Sequence, residues 1–396
     1  MKLKYWLKAP FRYLLIALAY LVRRDRNTWV FGSTSGLFID NSKYLFIYAN
    51  EHINDINPVW ISKNKETVKY INNLGFKAFH RKSFKGVYYT LKAKFYIYSW
   101  HISDISTWAY NGAVKINLWH GIPLKKIEFD IQTGPTAINY NGSIKSRLKY
   151  PENYVKPDYI LAPSEKVQSS FSSAFNVSPE RLMNFGYPRN EILVNNIEYA
   201  IQFIKRFEPA LSMNLLQKLQ TYNEVFIYLP TWRDTGADII YNSKIEFKAI
   251  NNILEKQNSL LLMKLHKHSQ GKAGKEKFSN IIYLNQNIDI YPLLQFTTTL
   301  ITDYSSIIFD YALLKKRIIF FCYDKEDYIN NREIYLDYEA ITKNYEVAYN
   351  FNELLELLKK PKHAVKSNEL IGKVANIEQT KNASLKIINF IKNTES

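Results

Sequence analysis

From Thr28 onward, short apolar runs alternate with amphipathic stretches along nearly the whole chain. In the first half, residues 28–31, 58–62, 95–98, 115–119 and 159–162 are brief and rich in β-branched and aromatic side chains, which predicts strands. Helical patterns lie between several of them, for example over 42–52 and 66–73. A polar stretch rich in Gly, Asn and Ser, residues 132–146, interrupts the pattern and reads as a mobile loop. A helical stretch over 195–219 then separates this half from a second series. That series predicts strands at 225–228, 260–265, 281–284, 299–302 and 317–321, with helices at 244–256, 305–314 and 352–359. Asn352 is placed to cap the last of these. A terminal helix over 381–392 carries Leu385, Ile388 and Ile391 on one face.

Strands alternating with helices imply βαβ units and parallel sheets. The expected fold is therefore α/β and GT-B-like, with two Rossmann-like domains facing across a cleft and a basic amphipathic segment at the N-terminus. The expected boundaries are 1–26 for that segment, 27–200 for the first domain and 201–396 for the second.

Charge sharpens the picture. The chain of 396 residues has 53 Lys and Arg against 36 Asp and Glu, a formal net charge of +17. A surplus of this size draws the protein to something anionic: nucleic acid, acidic lipid or a phosphate-rich substrate. Part of it is concentrated at the N-terminus, where Lys2, Lys4, Lys8, Arg12, Arg23, Arg24 and Arg26 face a single acid, Asp25. The apolar run between them, residues 13–22, falls well short of the roughly 20 residues needed to span a bilayer. Arg23-Arg24-Asp25-Arg26 is also a poor site for signal-peptide cleavage. What remains is a helix lying on an anionic cytoplasmic leaflet with Trp6, Phe11 and Tyr13 at headgroup depth, or a helix packed on the enzyme's own body. A single cysteine, Cys322, leaves no disulfide framework and suits a reducing, cytoplasmic setting.

Ligands of open α/β sheets bind beyond the carboxyl ends of the strands, so polar residues directly after a predicted strand carry the most weight. Asn117-Leu118-Trp119-His120-Gly121-Ile122-Pro123-Leu124-Lys125-Lys126 leaves His120 at a strand mouth ahead of a Gly-x-Pro turn. Such a histidine can take a proton from an attacking hydroxyl, or simply be satisfied by backbone hydrogen bonds. Lys125 and Lys126 can draw in phosphates. Lys264, His266 and Lys267 follow another strand and can donate to anionic oxygens, as a plain solvated basic loop would. Asp303 ends a third strand, and Ser305 and Ser306 open a helix whose free amides suit a diphosphate. Asp303 itself repels phosphate and is expected to accept hydrogen bonds from loop amides or a ligand hydroxyl. Arg233 follows the first strand of the second half and can bind phosphate in a bidentate manner.

Taken in order, WHGIPLKK, APSE, FGYPRN, LPTWRD, KLHKH and TDYSSIIFDYALLKK resemble the motif series of the CDP-glycerol glycerophosphotransferase family, which includes teichoic-acid primases and polymerases and some capsule polymerases. Trp29-Val30-Phe31-Gly32-Ser33 followed by Asn41-Ser42-Lys43-Tyr44 looks like the family's opening. The resemblance implies transfer of glycerol phosphate from CDP-glycerol to a lipid-linked saccharide, carried on undecaprenyl diphosphate, or to a growing poly(glycerol phosphate) chain, with release of CMP. It also implies peripheral association with the cytoplasmic face of the cell membrane. His120 matches the family's proposed catalytic histidine and His266 a second essential one. Arg233, Asp303, Ser305 and Ser306 fall on donor-binding motifs, with Lys264, Lys125 and Lys126 as further substrate-binding groups. Lys267 stands where the family often has proline, an added cation beside the second histidine.

Two other activities share these features: a CDP-ribitol ribitolphosphotransferase of the same family, and a GT-B glycosyltransferase using a nucleotide sugar. No recognised nucleic-acid-binding motif accompanies the positive charge, so no nucleic-acid partner is expected. No cofactor and no metal site are expected either, because the sequence has no DxD-like acidic cluster.

Overall fold

The computed structural model describes residues 4–134, 136–231, 233, 239–265, 276–285, 288–331, 333–360 and 368–394. It divides into two compact units: Met1–His120 with Ile127–Glu191 and Glu378–Ser396, and Gly121–Lys126 with Ile192–Ile377. A single cut near residue 200 does not describe this division, since the C-terminal stretch belongs to the first unit and a short piece after His120 to the second.

The first unit is built on a parallel sheet of seven strands: β1 (Asp25–Gly32), β2 (Asn57–Ser62), β3 (Ala78–His80), β4 (Ala93–Tyr98), β5 (Val114–Asn117), β6 (Tyr159–Leu161) and β7 (Leu182–Met183). Their order is β3-β2-β1-β4-β5-β6-β7. The second unit has six: β8 (Glu224–Tyr228), β9 (Ser259–Met263), β10 (Ile281–Tyr283), β11 (Thr299–Thr302), β12 (Arg317–Phe321) and β13 (Glu346–Ala348), ordered β10-β9-β8-β11-β12-β13. Every pairing in both sheets is parallel.

Parallel sheets take helices on both faces, so their strands are apolar throughout rather than alternating. Ser-Leu-Leu-Leu-Met of β9 and Arg-Ile-Ile-Phe-Phe of β12 are buried at every position. In each sheet the order reverses between two central strands, β1 and β4 in the first and β8 and β11 in the second. Such a switch point opens a crevice at the strands' carboxyl ends.

All ten expected strands form. The three others, β3, β7 and β13, are edge strands whose apolar runs are only two or three residues long, against four at 159–162 and 281–284. The helical stretch expected over 195–219 is two helices, Ile197–Phe207 and Ala210–Leu219, parted at Pro209, which has no N–H to continue the first. Asn350, not Asn352, caps the helix Phe351–Lys359, its Oδ1 accepting from the Glu353 amide. In the terminal helix Ala383–Asn393 the buried face is Ile387, Ile388 and Ile391, and Leu385 is exposed. The stretch expected to be a mobile loop holds a helical turn at Ala137–Asn139 and the start of the helix Ile144–Lys149. Its Tyr140 packs edge-on against Phe129.

The N-terminal segment forms helix α1 (Lys4–Tyr20). Ile16 and Ala19 are buried against the unit, whereas Phe11, Leu14, Leu18 and Leu21 are exposed in a row at helical spacing. Arg24 does not face outward. Its guanidinium donates to the carbonyls of Thr90, Ala93, Ala19, Ala109 and Asn111, pinning the chain where α1 hands over to β1. Among the described residues no helix is long and apolar enough to cross a membrane.

Candidate active site

In the first unit, three chain segments converge on His120. β5 leads into Leu118, Trp119 and His120; β4 leads into Ser99 and Trp100; and helix α2 (Asp40–His52) begins with Asp40, Asn41 and Ser42. The Nδ1 of His120 lies 3.2 Å from the carbonyl oxygen of Ser99. A carbonyl only accepts, so Nδ1 carries the proton and Nε2 keeps its lone pair. The ring is held in plane by Trp100, stacked at 4.3 Å with 9° between the planes, and by Trp119 at 4.1 Å.

The backbone that presents this ring is strained. Trp119 has φ +52°, a left-handed conformation that costs a non-glycine residue about 1–2 kcal/mol, and Gly121 follows at φ +136°. Two asparagines secure the turn. Trp119 N donates to Asn117 Oδ1 at 2.8 Å, and Asn41 Nδ2 donates to the carbonyls of Trp119 at 2.8 Å and Leu118 at 3.4 Å. Asn41 Oδ1 in turn accepts from the backbone amide of Arg189 at 3.2 Å, and Arg189 Nη1 meets Asp40 Oδ1 at 2.7 Å. Asp40 is also left-handed, at φ +67°. The sequence segments NSKY, WHGIPLKK and FGYPRN thus meet at one strand mouth. The glycine of the third is there for room: a Cβ on Gly186 would stand 2.3 Å from Thr380 Cα.

Desolvation pushes the His120 pKa down to about 3, with Arg189 and His101 acting in the same direction against the Ser99 hydrogen bond. The imidazole is therefore neutral at pH 7. A second buried group lies close by. His101, held at about 4 by burial, has its Nε2 3.8 Å from Glu128 Oε1. Burial raises the pKa of Glu128 to about 8, opposed by a hydrogen bond from Tyr140 Oη at 3.1 Å. At neutral pH this pair is an uncharged imidazole beside an uncharged acid.

In the second unit the expected residues gather at the switch point. Asp303, directly after β11, accepts at Oδ1 from the amides of Thr231 at 2.8 Å and Tyr304 at 2.6 Å, so it does receive loop amides as expected. Arg233 is buried and its donors are occupied. Nε and Nη2 make a fork with Asp324 at 2.7 and 2.9 Å, Nη2 also meets Asp303 Oδ2 at 2.9 Å, and Nη1 donates to Thr231 O at 2.6 Å. Tyr304 and Tyr328, stacked on each other at 3.8 Å, lie with Tyr323 around the guanidinium. A guanidinium so engaged ties the segment after β8 to Asp303 and Asp324.

Ser305 and Ser306 are half-buried just ahead of the helix Ile307–Ala312. Lys264 donates from Nζ to the carbonyl of Ile288 at 2.6 Å. Lys125 lies over the Tyr328 ring at 5.2 Å, and Lys126 pairs with Glu333 at 2.9 Å, while the Leu124–Lys126 backbone bonds to that of Glu333–Tyr335. His266 and Lys267 lie outside the described residues. Among the described residues, no three His, Cys, Asp or Glu side chains cluster as a metal site would require.

The partners that orient His120, namely Ser99, Trp100, Asn41 and Arg189, were not singled out as site residues from sequence. They come from three separate parts of the chain, and Asn41 and Arg189 were visible only as members of the NSKY and FGYPRN motifs.

The sequence pattern of the CDP-glycerol:poly(glycerophosphate) glycerophosphotransferase family matches residues 14–393. A teichoic acid glycerol-phosphate transferase of Staphylococcus aureus is 28% identical over 328 residues, 80% of this chain and 79% of the relative. A teichoic acid poly(glycerol phosphate) polymerase of Bacillus spizizenii is 27% identical over 81% of this chain and 80% of its own length. The chain spans only 42% of the corresponding polymerase of Staphylococcus epidermidis, at 28% identity. In fold it is similar to the wall teichoic acid polymerase TagF, with a TM-score of 0.72 at 23% identity over 99% of this chain and 98% of that one. A UDP-N-acetylglucosamine 2-epimerase of Listeria monocytogenes shares the architecture more distantly, at a TM-score of 0.51 and 10% identity over 93% of this chain and 96% of that one.

Proposed function

The chain belongs to the CDP-glycerol:poly(glycerophosphate) glycerophosphotransferase family, and on that footing we propose that it transfers glycerol phosphate from CDP-glycerol to a hydroxyl of a lipid-linked saccharide or of a growing poly(glycerol phosphate) chain, releasing CMP. The observation that carries this reading is the His120–Ser99 contact, which leaves Nε2 as an unprotonated base at a strand mouth. The acceptor hydroxyl attacks the donor's β-phosphorus, the one bearing glycerol. The bond from that phosphorus to the bridging oxygen breaks, CMP departs with the electron pair, and Nε2 takes the hydroxyl proton.

A base with so low a pKa is weak in the ligand-free protein. A diphosphate close by supplies negative charge, which raises the pKa of an imidazole and strengthens it as a base where the donor is bound. On the donor side, Lys264 and the amides at Ser305 and Ser306 are assigned to the diphosphate, with Lys125, Lys126 and His266 as further contributors. Asp303 and Arg233 are assigned to holding the loop ahead of the helix Ile307–Ala312. Phosphoryl transfer rests largely on positioning and electrostatics, which suits cations and amides of this kind.

Attachment to the cytoplasmic face of the membrane belongs to the same reading. It is supported by the exposed row Phe11, Leu14, Leu18 and Leu21 together with the basic residues of the N-terminal segment.

CDP-ribitol is the second reading for the donor. The ribitol-phosphate polymerase TarK of Staphylococcus aureus is also 28% identical, over 61% of this chain and 45% of its own length. Supplying CDP-glycerol, CDP-ribitol and UDP-sugars in parallel with a lipid-linked disaccharide separates the possibilities. CMP release and a product heavier by one or more glycerol phosphate units are expected from CDP-glycerol alone. UMP- or UDP-releasing sugar transfer would overturn the assignment.

A further inference from the structure

We propose that the first turn of α2, through Asn41 and Ser42, is a positioning device for His120; the inference rests on the reading of His120 as the base. Besides the Trp100 and Trp119 rings against it, two features fix the imidazole. One is the hydrogen bond from Nδ1 to Ser99 O, and the other is the left-handed peptide at Trp119 that launches the ring from β5. Neighbouring residues of α2 hold one contact each.

Asn41 is buried and donates from Nδ2 to the Trp119 carbonyl, so the strained peptide cannot relax without breaking a buried hydrogen bond. Ser42 is also buried. Its amide donates to Ser99 Oγ at 3.0 Å, and its own Oγ lies 2.7 Å from the same oxygen. Ser99 is thereby fixed from its side chain while its carbonyl receives the imidazole. Asn41 is engaged at both ends of its amide, since its Oδ1 takes the Arg189 amide, which leaves the side chain one orientation. An asparagine that donates to a carbonyl and accepts from an amide cannot be flipped without losing both bonds. The Trp119 peptide and the Ser99 carbonyl, which set the ring's direction and tautomer, are thus both held from one helix end, with Asn41 78 residues before Trp119.

Neither residue reaches the reacting atoms, so neither is a catalytic residue. Their effect is expected in the rate of the chemical step and not in donor binding. Misplacement of a reacting group by about 1 Å costs up to roughly 100-fold in rate.

The experiment measures single-turnover CMP release from CDP-glycerol, with a lipid-linked disaccharide as acceptor, for wild type, N41A, S42A, H120A and the doubles N41A/H120A and S42A/H120A. CDP-glycerol affinity is measured on each by calorimetry. The inference expects N41A to slow release roughly 10- to 100-fold while affinity stays within about twofold. Neither N41A nor S42A should slow the H120A protein further, because residues acting through His120 lose their effect once it is gone. The same fold-loss with and without His120 would overturn the inference, as would wild-type release by N41A. S42A removes a single oxygen, so it carries the same comparison if N41A does not fold. Wild-type release by H120A would instead remove His120 from the chemistry and take the premise with it. That outcome is distinct from a large H120A effect accompanied by an additive N41A effect.

Discussion

The Nδ1 of His120 and the carbonyl oxygen of Ser99 stand 3.2 Å apart, and that one contact decides which nitrogen of the ring can act as a base. Because the carbonyl cannot donate, the proton belongs on Nδ1. Nε2 is left with its lone pair.

The pH dependence of the reaction follows from this setting. With its pKa pushed down to about 3, His120 in the free protein stays in its base form across the neutral and mildly acidic range. A profile of kcat/KM, which reports the free enzyme, is expected to show no acid limb near 6.5 from this residue. A limb at that value that disappears in H120N would contradict the account.

Stability should run the other way with pH. Burial raises Glu128 to about 8, and Glu191 and Asp104 to about 7 each. Between the unfolded values near 4 and these folded values, the native protein holds protons that the unfolded chain has released. Stability is therefore full below about pH 4 as far as these groups are concerned, and is lost as pH rises through 7 and 8. His101 and His120, held at about 4 and about 3, act in the opposite sense below about pH 6.5, so a falling Tm is expected by calorimetry between pH 6.5 and 8.5. Glu128→Gln, which is uncharged at every pH, should flatten the upper part of that fall.

Arg233 tests the second unit. Its removal strands Asp303 and Asp324, two carboxylates that share its guanidinium. Breaking a buried ion pair by deleting one partner costs about 3–5 kcal/mol. Arg233→Ala should therefore lower Tm and weaken CDP-glycerol binding together. Weakened binding with an unchanged Tm would mean that Arg233 meets the ligand directly.

The exposed row on α1 makes a separate prediction. Leu14→Asp with Leu18→Asp places charge on solvent-facing positions and should abolish co-sedimentation with anionic vesicles while leaving Tm unchanged. Ile16→Asp buries a charge and should lower Tm. Undiminished vesicle binding by the double variant would dismiss this face as the contact.

Much of this was legible in the sequence because parallel strands announce themselves. Stretches such as 260–263 and 318–321 are apolar at every position and lie between helical patterns. The edge strands β3, β7 and β13 were not legible, since their apolar runs are only two or three residues long, against four at 159–162 and 281–284. The cap on Phe351–Lys359 was misplaced by two residues because Asn350 and Asn352 are equally good capping types and only the backbone distinguishes them. His120 stood out as a polar residue at a strand mouth. Asn41 and Arg189 lie in stretches that resemble the family's motifs, but their roles, like that of Ser99, exist only once distant segments meet. Arg233 was legible as an arginine near a strand end, but its partner Asp324 lies 91 residues away, and that pairing exists only once the two segments meet.

The central claim is that His120 draws the proton from the acceptor hydroxyl as glycerol phosphate leaves CDP-glycerol. The most direct measurement is CMP release by His120→Ala protein shown by calorimetry to bind CDP-glycerol like wild type, with a lipid-linked disaccharide as acceptor. Loss of a positioned general base predicts a fall in rate of about 10²- to 10⁴-fold. CMP release at a near-normal rate by that protein would contradict the account.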